Sequence, residues 1–316
     1  MHRKTARSAA RTVALGAVVA LGLGSAQAAM AKPASGRLEC SADALRSALS
    51  NVNSGATINL AAGCTYWLNS GLTDNKLDLT ITGLDSTLRR TAGAPDFTIL
   101  TVDPGDTLTL NSVNFVNGGG RSSAAANGGA IYNQGAILTV NGGTFSDNHS
   151  DEYGGAIYTD SSGSSITVSN AYFTGNTAEY GGAIENGDSS TATISNSTFS
   201  RNSALGGHYG GAIENDGSAN VTASLFLGNT ARYGGGIENG GDLTTAANTL
   251  DGNFAYEGGG IYEQDATLDD NGSLIMSNTA ARLGGGIYNG SCVQATLTGT
   301  TVFLNVVDNI YNHGDC

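Results

Sequence analysis

Three glutamates recur at one position of a repeat in the middle of the chain, where carboxylates could carry out acid–base or cation-binding chemistry. Glu185, Glu214 and Glu238 each follow the isoleucine of a Gly-Gly-x-Ile motif. If successive copies pair as neighbouring strands, the carboxylates lie about 5 Å apart. Like charges at that spacing repel unless a shared proton, a cation or a basic neighbour compensates. His208 and Arg232 lie close by in the repeat register, so we predict all five as candidate catalytic residues.

Tyrosines flank these glutamates at two positions of the repeat. Tyr158 and Tyr262 follow the isoleucine in neighbouring copies, whereas Tyr180, Tyr209 and Tyr233 precede the glycines. An aromatic ring with a polar tip suits sugar binding, and we predict these five as substrate-binding residues. The alternative is that they pack in the core or in turns.

The position after the isoleucine is expected to face solvent, because side chains alternate along a strand. This expectation leaves two interpretations of the glutamates open. They form either a functional site or an acidic face that is only solvated. The lone His208 is likewise open to a structural interpretation.

The elements that position these residues are copies of one repeat. The Gly-Gly-x-Ile motif occurs at Gly128–Ile131, Gly154–Ile157, Gly181–Ile184, Gly210–Ile213, Gly234–Ile237, Gly258–Ile261 and Gly284–Ile287. When a degenerate copy at Ile310 is included, the isoleucines are 26, 27, 29, 24, 24, 26 and 23 residues apart. A second motif, an apolar residue followed three positions later by asparagine, occurs out of phase at Phe145–Asn148, Phe173–Asn176, Phe199–Asn202, Phe226–Asn229, Leu250–Asn253, Ile275–Asn278 and Val302–Asn305. A fixed period in this range indicates a solenoid.

The residue types within each repeat predict strands rather than helices. The apolar stretches are short and β-branched, and Gly, Asn, Ser and Thr separate them, as in strands joined by turns. Three short strands use up one repeat, which predicts one coil of a parallel β-helix with stacked isoleucine, phenylalanine and asparagine columns. Residues 41–50 predict a short helix, capped by Ser41, that covers the N-terminal end of the solenoid.

The alternation of Gly-Gly-Ala-Ile with Phe-x-x-Asn resembles the repeat of the chlamydial polymorphic outer membrane proteins. The wider class that it resembles is the right-handed parallel β-helix of pectate-lyase type. This resemblance implies an all-β, single-stranded, right-handed parallel β-helix with a short N-terminal capping helix. It also implies an adhesin-like surface protein, although this fold carries lyases and hydrolases as well.

The N-terminus has the pattern of a secretion signal. Arg3, Lys4, Arg7 and Arg11 precede a short apolar run and small-x-small cleavage sites, which predicts a signal peptide at residues 1–31 and a secreted, extracellular protein. The β-helix then covers 32–316, with a cap and irregular first coils at 32–127 and regular repeats with a C-terminal cap at 128–316. Without the signal, 10 basic residues face 27 acidic ones, a net charge of about −17. This charge argues against a nucleic-acid partner. No second apolar stretch follows the signal, so we expect no integral membrane segment. We also expect a monomer.

The cysteines predict two disulfides. Cys40 and Cys64 are 24 residues apart, as are Cys292 and Cys316. A residue one coil away lies directly above, within disulfide reach, so each pair is predicted to join two neighbouring coils at one end. We predict no metal at the cysteines and no cofactor, apart from Ca²⁺ as a candidate at the glutamates.

Two functions remain open from the sequence, beside a third interpretation as a structural solenoid with no specific ligand. One is a carbohydrate-active hydrolase or lyase that acts on an extracellular polysaccharide through the acidic and aromatic face. The other is a non-catalytic surface or matrix protein of the adhesin type that binds a glycan or a cell-surface polymer.

Overall fold

The computed structural model describes residues 36–74, 78–119, 127–160, 163–204, 206, 208–264, 266–290 and 295–313. Residues from Arg37 onward belong to one compact unit, Arg37–Cys316. The predicted signal peptide at 1–31 and the predicted Cys292–Cys316 disulfide lie outside the described residues. Within the described ranges, no helix is both long enough and apolar enough to cross a membrane.

The first coils begin with the predicted helix. Helix α1 spans Ala42–Asn51, and the Ser41 hydroxyl accepts a hydrogen bond from the Ala44 N–H at 3.1 Å. Leu45 and Leu49 of α1 are buried in the core, which agrees with a capping helix. The strands that follow are β1 (Ala56–Asn59), β2 (Thr65–Leu68), β3 (Leu72–Thr73), β4 (Leu79–Arg90), β5 (Leu100–Val102) and β6 (Thr107–Val116).

The regular coils consist of short strands of two to five residues. The first half contains β7 (Ile131–Asn133), β8 (Ile137–Asn141), β9 (Thr144–Ser146), β10 (Ile157–Thr159), β11 (Ser165–Ser169), β12 (Tyr172–Thr174), β13 (Thr177–Ala178), β14 (Ile184–Asn186), β15 (Thr191–Ser195), β16 (Thr198–Ser200), β17 (Ser203–Ala204), β18 (Ile213–Asn215), β19 (Ser218–Thr222) and β20 (Leu225–Leu227). The second half contains β21 (Ile237–Asn239), β22 (Asp242–Ala246), β23 (Thr249–Asp251), β24 (Phe254–Glu257), β25 (Ile261–Glu263), β26 (Thr267–Asn271), β27 (Leu274–Met276), β28 (Thr279–Leu283), β29 (Ile287–Asn289), β30 (Thr296–Thr298), β31 (Thr301–Phe303) and β32 (Ile310–Asn312).

These strands pair in parallel between coils and form a parallel β-solenoid of about nine turns. One ten-stranded sheet runs β3-β5-β7-β10-β14-β18-β21-β25-β29-β32, and we call it the isoleucine sheet. In its register Ile184 pairs with Ile213, and Ile213 pairs with Ile237. All three isoleucines are completely buried. The predicted isoleucine column is therefore confirmed.

The other large sheet carries the phenylalanine column. Phe145, Phe173, Phe199 and Phe226 occupy equivalent positions on β9, β12, β16 and β20. Their rings stack with centroids 4.7–4.9 Å apart, and all four are fully buried. This column and the isoleucines belong to the same buried core. Two further pairs of strands, β13 with β17 and β24 with β28, lie outside these sheets.

The asparagines of the second motif form a continuous ladder along the turns. The Asn202 side-chain amide donates to Asn229 Oδ1 at 3.0 Å, and the Asn229 amide donates to Asn253 Oδ1 at 2.9 Å. The ladder also includes Asn148, Asn176, Asn278 and Asn305. Since these side chains bond to backbone groups as well, the ladder satisfies polar groups that the tight turns would otherwise leave buried without partners.

The first predicted disulfide is present. Cys40 and Cys64 are bonded, with their Cα atoms 5.7 Å apart. The one-coil spacing of the two cysteines in the sequence therefore predicted their contact correctly.

Candidate functional site

The three glutamates lie side by side on the isoleucine sheet, as their spacing predicts. Glu185 on β14 pairs with Glu214 on β18, which pairs with Glu238 on β21. Tyr158 and Tyr262 continue the same column on either side. We call Glu185, Glu214 and Glu238 the glutamate stack.

The glutamate stack is buried, so the expectation that this column faces solvent is wrong. The exposed fractions are 2% for Glu185, 5% for Glu214 and 1% for Glu238. Alternation correctly places these side chains on the side of the strand away from the isoleucines. That side is covered, however, and a merely solvated acidic face is excluded.

The cover comes from the tyrosines that precede the glycines. Gly181 has a φ of +59°, and a Cβ atom there would lie 2.3 Å from the Ile184 carbonyl oxygen, so the chain turns tightly back on its own strand. This turn brings Tyr180 close to the glutamates. Burial and then the charge of Glu214 raise the pKa of the Tyr180 hydroxyl. Burial and then a side-chain hydrogen bond with Glu152 raise the pKa of Tyr153 to about 12.

The tyrosines form one uninterrupted aromatic stack, which we call the tyrosine ladder. Neighbouring ring centroids are 4.7–6.1 Å apart along its whole length. The ladder runs through Tyr132, Tyr158, Tyr153, Tyr180, Tyr209, Tyr233, Tyr262, Tyr288 and Tyr311. It contains all five tyrosines that the sequence predicts as substrate-binding residues.

The ladder changes position in the repeat at the glutamate stack. Up to Tyr158 the ladder occupies the position after the isoleucine. From Tyr153 to Tyr233 it occupies the position before the glycines, and from Tyr262 onward it is again at the position after the isoleucine. Between these two changes of position the shorter glutamate side chains occupy the vacated column, beneath the rings. The ring faces contact one another along the stack, except between Tyr233 and Tyr262, whose rings are tilted by 51°. The stacked rings therefore present edges and hydroxyl groups outward rather than free faces for sugars.

Burial dominates the electrostatics of the glutamate stack. It raises the pKa of all three carboxyl groups well above the usual range, and their mutual proximity adds to the effect for Glu214 and Glu238. Within the described part of the chain, Oε2 of each glutamate has no hydrogen-bond partner. The stack is thus suited to hold protons or a cation. One oxygen each from Glu185, Glu214 and Asp216 lies within 4.8 Å of the others, so the Ca²⁺ suggested by the sequence stays a proposal.

His208 and Arg232 lie on the outer side of the site. His208 Nε2 is 3.9 Å from Glu179 Oε2, and its ring packs against Tyr180. The Arg232 guanidinium lies over the rings of Tyr233 and Tyr256, at 5.3 and 5.6 Å from their centroids. These contacts are with the cover of the site, not with the buried carboxylates.

An open groove beside the ladder was missed by the sequence analysis. It has a volume of about 500 Å³ and is lined by Arg232, Phe254, Tyr256, Ala204, Thr230, Ala231 and Ala281. Phe254 and Tyr256 are 46% and 41% exposed on β24. The strict alternation of Phe-Ala-Tyr-Glu, with its two aromatics on one face, is the signal that would have revealed it.

A comparison with known families agrees with this architecture. A family model described as the Chlamydia polymorphic membrane protein repeat matches residues 142–160. This segment contains one Phe-x-x-Asn motif at Phe145–Asn148 and one Gly-Gly-Ala-Ile motif at Gly154–Ile157. The chain is a parallel β-helix whose repeats resemble the polymorphic membrane protein repeat. The next copy of each motif pairs in register with the matched segment. No curated protein and no solved structure gives a significant match.

The raised pKa values predict that acid stabilises the wild-type protein. A carboxyl group whose pKa is higher in the folded than in the unfolded chain stabilises the fold below its unfolded pKa, and this contribution is lost as the pH rises through the folded pKa. Replacing Glu238 with glutamine should therefore raise Tm at pH 8 by about 3 °C or more. The gain should disappear near pH 4. Thermal unfolding followed by circular dichroism across this range tests it.

Glu179→Gln is the matched control, because the Glu179 side chain is 46% exposed. It should leave Tm within about 1 °C of wild type at both pH values. A loss of stability in Glu238→Gln at pH 8 would contradict the prediction, because it would mean that the ionised Glu238 has a stabilising partner.

Proposed function

We propose that this chain is a non-catalytic surface or matrix protein of the adhesin type, which binds an anionic extracellular polysaccharide in the groove of Arg232, Phe254 and Tyr256. The observation that carries the proposal is the contrast between the two parts of the site. The glutamate stack is 1–5% exposed, whereas Phe254 and Tyr256 beside it are 46% and 41% exposed. The groove is accessible to a polymer and the carboxylates are not.

Burial of the glutamates argues against glycoside hydrolysis. A general acid must come within about 2.6–3.2 Å of the glycosidic oxygen. In the stack, Glu185, Glu214 and Glu238 lie beneath the ring ladder, and His208 contacts Glu179 instead of a glutamate of the stack. A hydrolase or lyase would require Tyr180 and Tyr209 to move aside, against ring contacts on both of their faces.

The groove has the chemistry of a sugar-binding site. Tyr256 and Phe254 offer apolar ring surface for the C–H faces of a pyranose, and the tyrosine hydroxyl adds a polar tip. Arg232 donates several N–H groups in a plane, which suits a carboxylate or sulfate.

The distribution of basic residues favours an anionic ligand. Among residues 127–313 the sequence contains three basic residues, Arg201, Arg232 and Arg282, in a strongly acidic chain. Arg232 lines the groove, whereas Arg282, which follows the groove residue Ala281, is paired with Glu257 at 2.6 Å. Arg232 thus supplies the positive charge of the groove.

The match to the polymorphic membrane protein repeat supports the surface location. That repeat is named for membrane proteins of Chlamydia. A solenoid that exposes one side of every coil offers an extended surface to a polymer. Such a surface can bind a polymer without any catalytic residue.

Binding to acidic polysaccharides is expected to depend on the groove. On a glycan array that contains uronate and sulfated polymers, wild type should bind, and Tyr256→Ala and Arg232→Gln should each weaken binding about 10-fold. Tyr172→Ala is the matched control, because Tyr172 is a 39% exposed tyrosine on β12 of the other large sheet. Its affinity should equal that of wild type.

A reducing-sugar assay on the same polymers separates binding from catalysis. Wild type and Glu214→Gln should both release no product. Product that wild type releases and Glu214→Gln does not would overturn the proposal in favour of a hydrolase or lyase. Equal binding by wild type, Tyr256→Ala and Arg232→Gln would remove the groove as the binding site.

A further inference from the structure

A second acidic cluster lies in the first coils, where the chain does not follow the repeat. Asp74 comes directly after β3, and Asp103 and Asp106 lie in the turn between β5 and β6. We call these three residues the aspartate triad. One carboxylate oxygen of each lies within 4.8 Å of the other two.

The turn that carries two of the aspartates has a defined geometry. The Asp106 N–H donates to the Asp103 carbonyl at 3.2 Å, and Gly105 has a φ of +85°. Proline followed by glycine at the central positions is typical of a type II turn. The Asp103 N–H also donates to Asp74 Oδ1 at 3.3 Å, so the turn is held against the end of β3 with its carboxylates together.

Two aspartates of the triad, Asp74 and Asp106, are buried, and in the part of the chain that the structure describes each has one carboxylate oxygen without a hydrogen-bond partner. Asp74 is completely buried and Asp106 is 5% exposed. Within the described residues, neither Asp74 Oδ2 nor Asp106 Oδ2 has a hydrogen-bond partner. A buried carboxylate without a partner is strongly unfavourable. Burial, followed by a side-chain hydrogen bond with Asp106, raises the pKa of Asp74 to about 7.

We propose that the aspartate triad binds a divalent cation of the calcium type. Three carboxylates converging within a few ångströms supply the hard oxygen ligands that Ca²⁺ prefers, and Ca²⁺ accepts irregular coordination more readily than Mg²⁺. The partly exposed Asp103 leaves the ion a route to solvent and room for water ligands. The bound ion ties the turn between β5 and β6 to the end of β3, two coils that no stacked isoleucine motif joins.

Calcium titration of the full chain tests this site. Isothermal titration calorimetry at pH 7.5 should give one high-affinity ion per chain, and saturating Ca²⁺ should raise Tm by several degrees because it binds only the folded chain. Asp106→Asn should weaken Ca²⁺ binding by about 10-fold or more and remove the Ca²⁺-dependent rise in Tm. Asp106→Asn keeps the size of the side chain, and its Tm without calcium shows that the variant folds.

Two control variants distinguish calcium at the triad from calcium in the glutamate stack and from neutralisation of the triad by a lysine. Glu214→Gln should bind Ca²⁺ as wild type does; loss of the calcium effect in Glu214→Gln but not in Asp106→Asn would place the ion in the glutamate stack and overturn the proposal. Lys76, two positions after Asp74 in the sequence, lies outside the described residues, and Lys76→Gln should retain the calcium effect. If wild type neither binds Ca²⁺ nor gains Tm from it, and Lys76→Gln is strongly destabilising, a lysine neutralises the triad. This result would also overturn the proposal.

Discussion

Replacing Ile213 with aspartate is expected to unfold the central coils of the solenoid. Ile213 is completely buried and lies between Ile184 and Ile237 in the isoleucine sheet. An aspartate there would place a carboxylate among apolar side chains that offer it no hydrogen bond. We expect a loss of more than about 4 kcal/mol in the free energy of unfolding. Urea denaturation monitored by circular dichroism measures it.

The chain offers a matched control for this substitution. Ile137 is also on a regular coil, at the first position of β8, but it is 53% exposed. Ile137→Asp should change the free energy of unfolding by no more than about 1 kcal/mol. Similar losses for the two variants would contradict the assignment of Ile213 to the core.

Removing one rung of the asparagine ladder is expected to have the second largest effect. Asn229 Oδ1 accepts from the N–H and the side-chain amide of Asn202, and the Asn229 amide donates to the Phe199 carbonyl and to Asn253 Oδ1. Asn229→Ala removes these four bonds. The Asn202 amide still donates to the Phe173 carbonyl, and Asn253 Oδ1 still accepts from the N–H of residue 229, whereas the Asn202 N–H and the Phe199 carbonyl lose the bond that the side chain makes. Since each unsatisfied buried group costs about 1–3 kcal/mol, we expect a loss of about 3 kcal/mol or more in the free energy of unfolding.

Two further variants test this account of the ladder. Asn220 is exposed on β19, and Asn220→Ala should cost no more than about 0.5 kcal/mol. Asn229→Asp keeps the accepted bonds but loses both donated ones, and protonation of the carboxyl group restores one donor. Its Tm deficit relative to wild type should therefore shrink between pH 8 and pH 4. A deficit that does not change with pH would show that donation by Asn229 contributes little.

The repeat made most of the fold predictable from the sequence. A residue that recurs once per coil lies over its counterparts, so the spacing of Ile184, Ile213 and Ile237 was enough to place the isoleucine sheet. The same rule predicted the contact between Cys40 and Cys64 and the register of the glutamate stack. Helix α1 followed from Ser41 and a short apolar face.

The environment of the site could not be predicted in the same way. Alternation along a strand says which side Glu214 lies on, but not what covers that side. The cover depends on Tyr180 and Tyr209, which belong to a different position of the repeat and reach the glutamates through the glycine turn. The aspartate triad was missed because Asp74 and Asp103 belong to coils without the repeat, where the sequence gives no register.

The coils that carry the Gly-Gly-x-Ile motif also make the molecule modular. Gly210, Gly234 and Gly258 are each 24 residues apart, and each coil contacts mainly the coils next to it. Recombination between two copies of the repeat can therefore insert or delete a whole coil while the isoleucine, phenylalanine and asparagine contacts rejoin in register. Such a change would lengthen or shorten the exposed face and alter the spacing of its binding residues, while the fold stays the same.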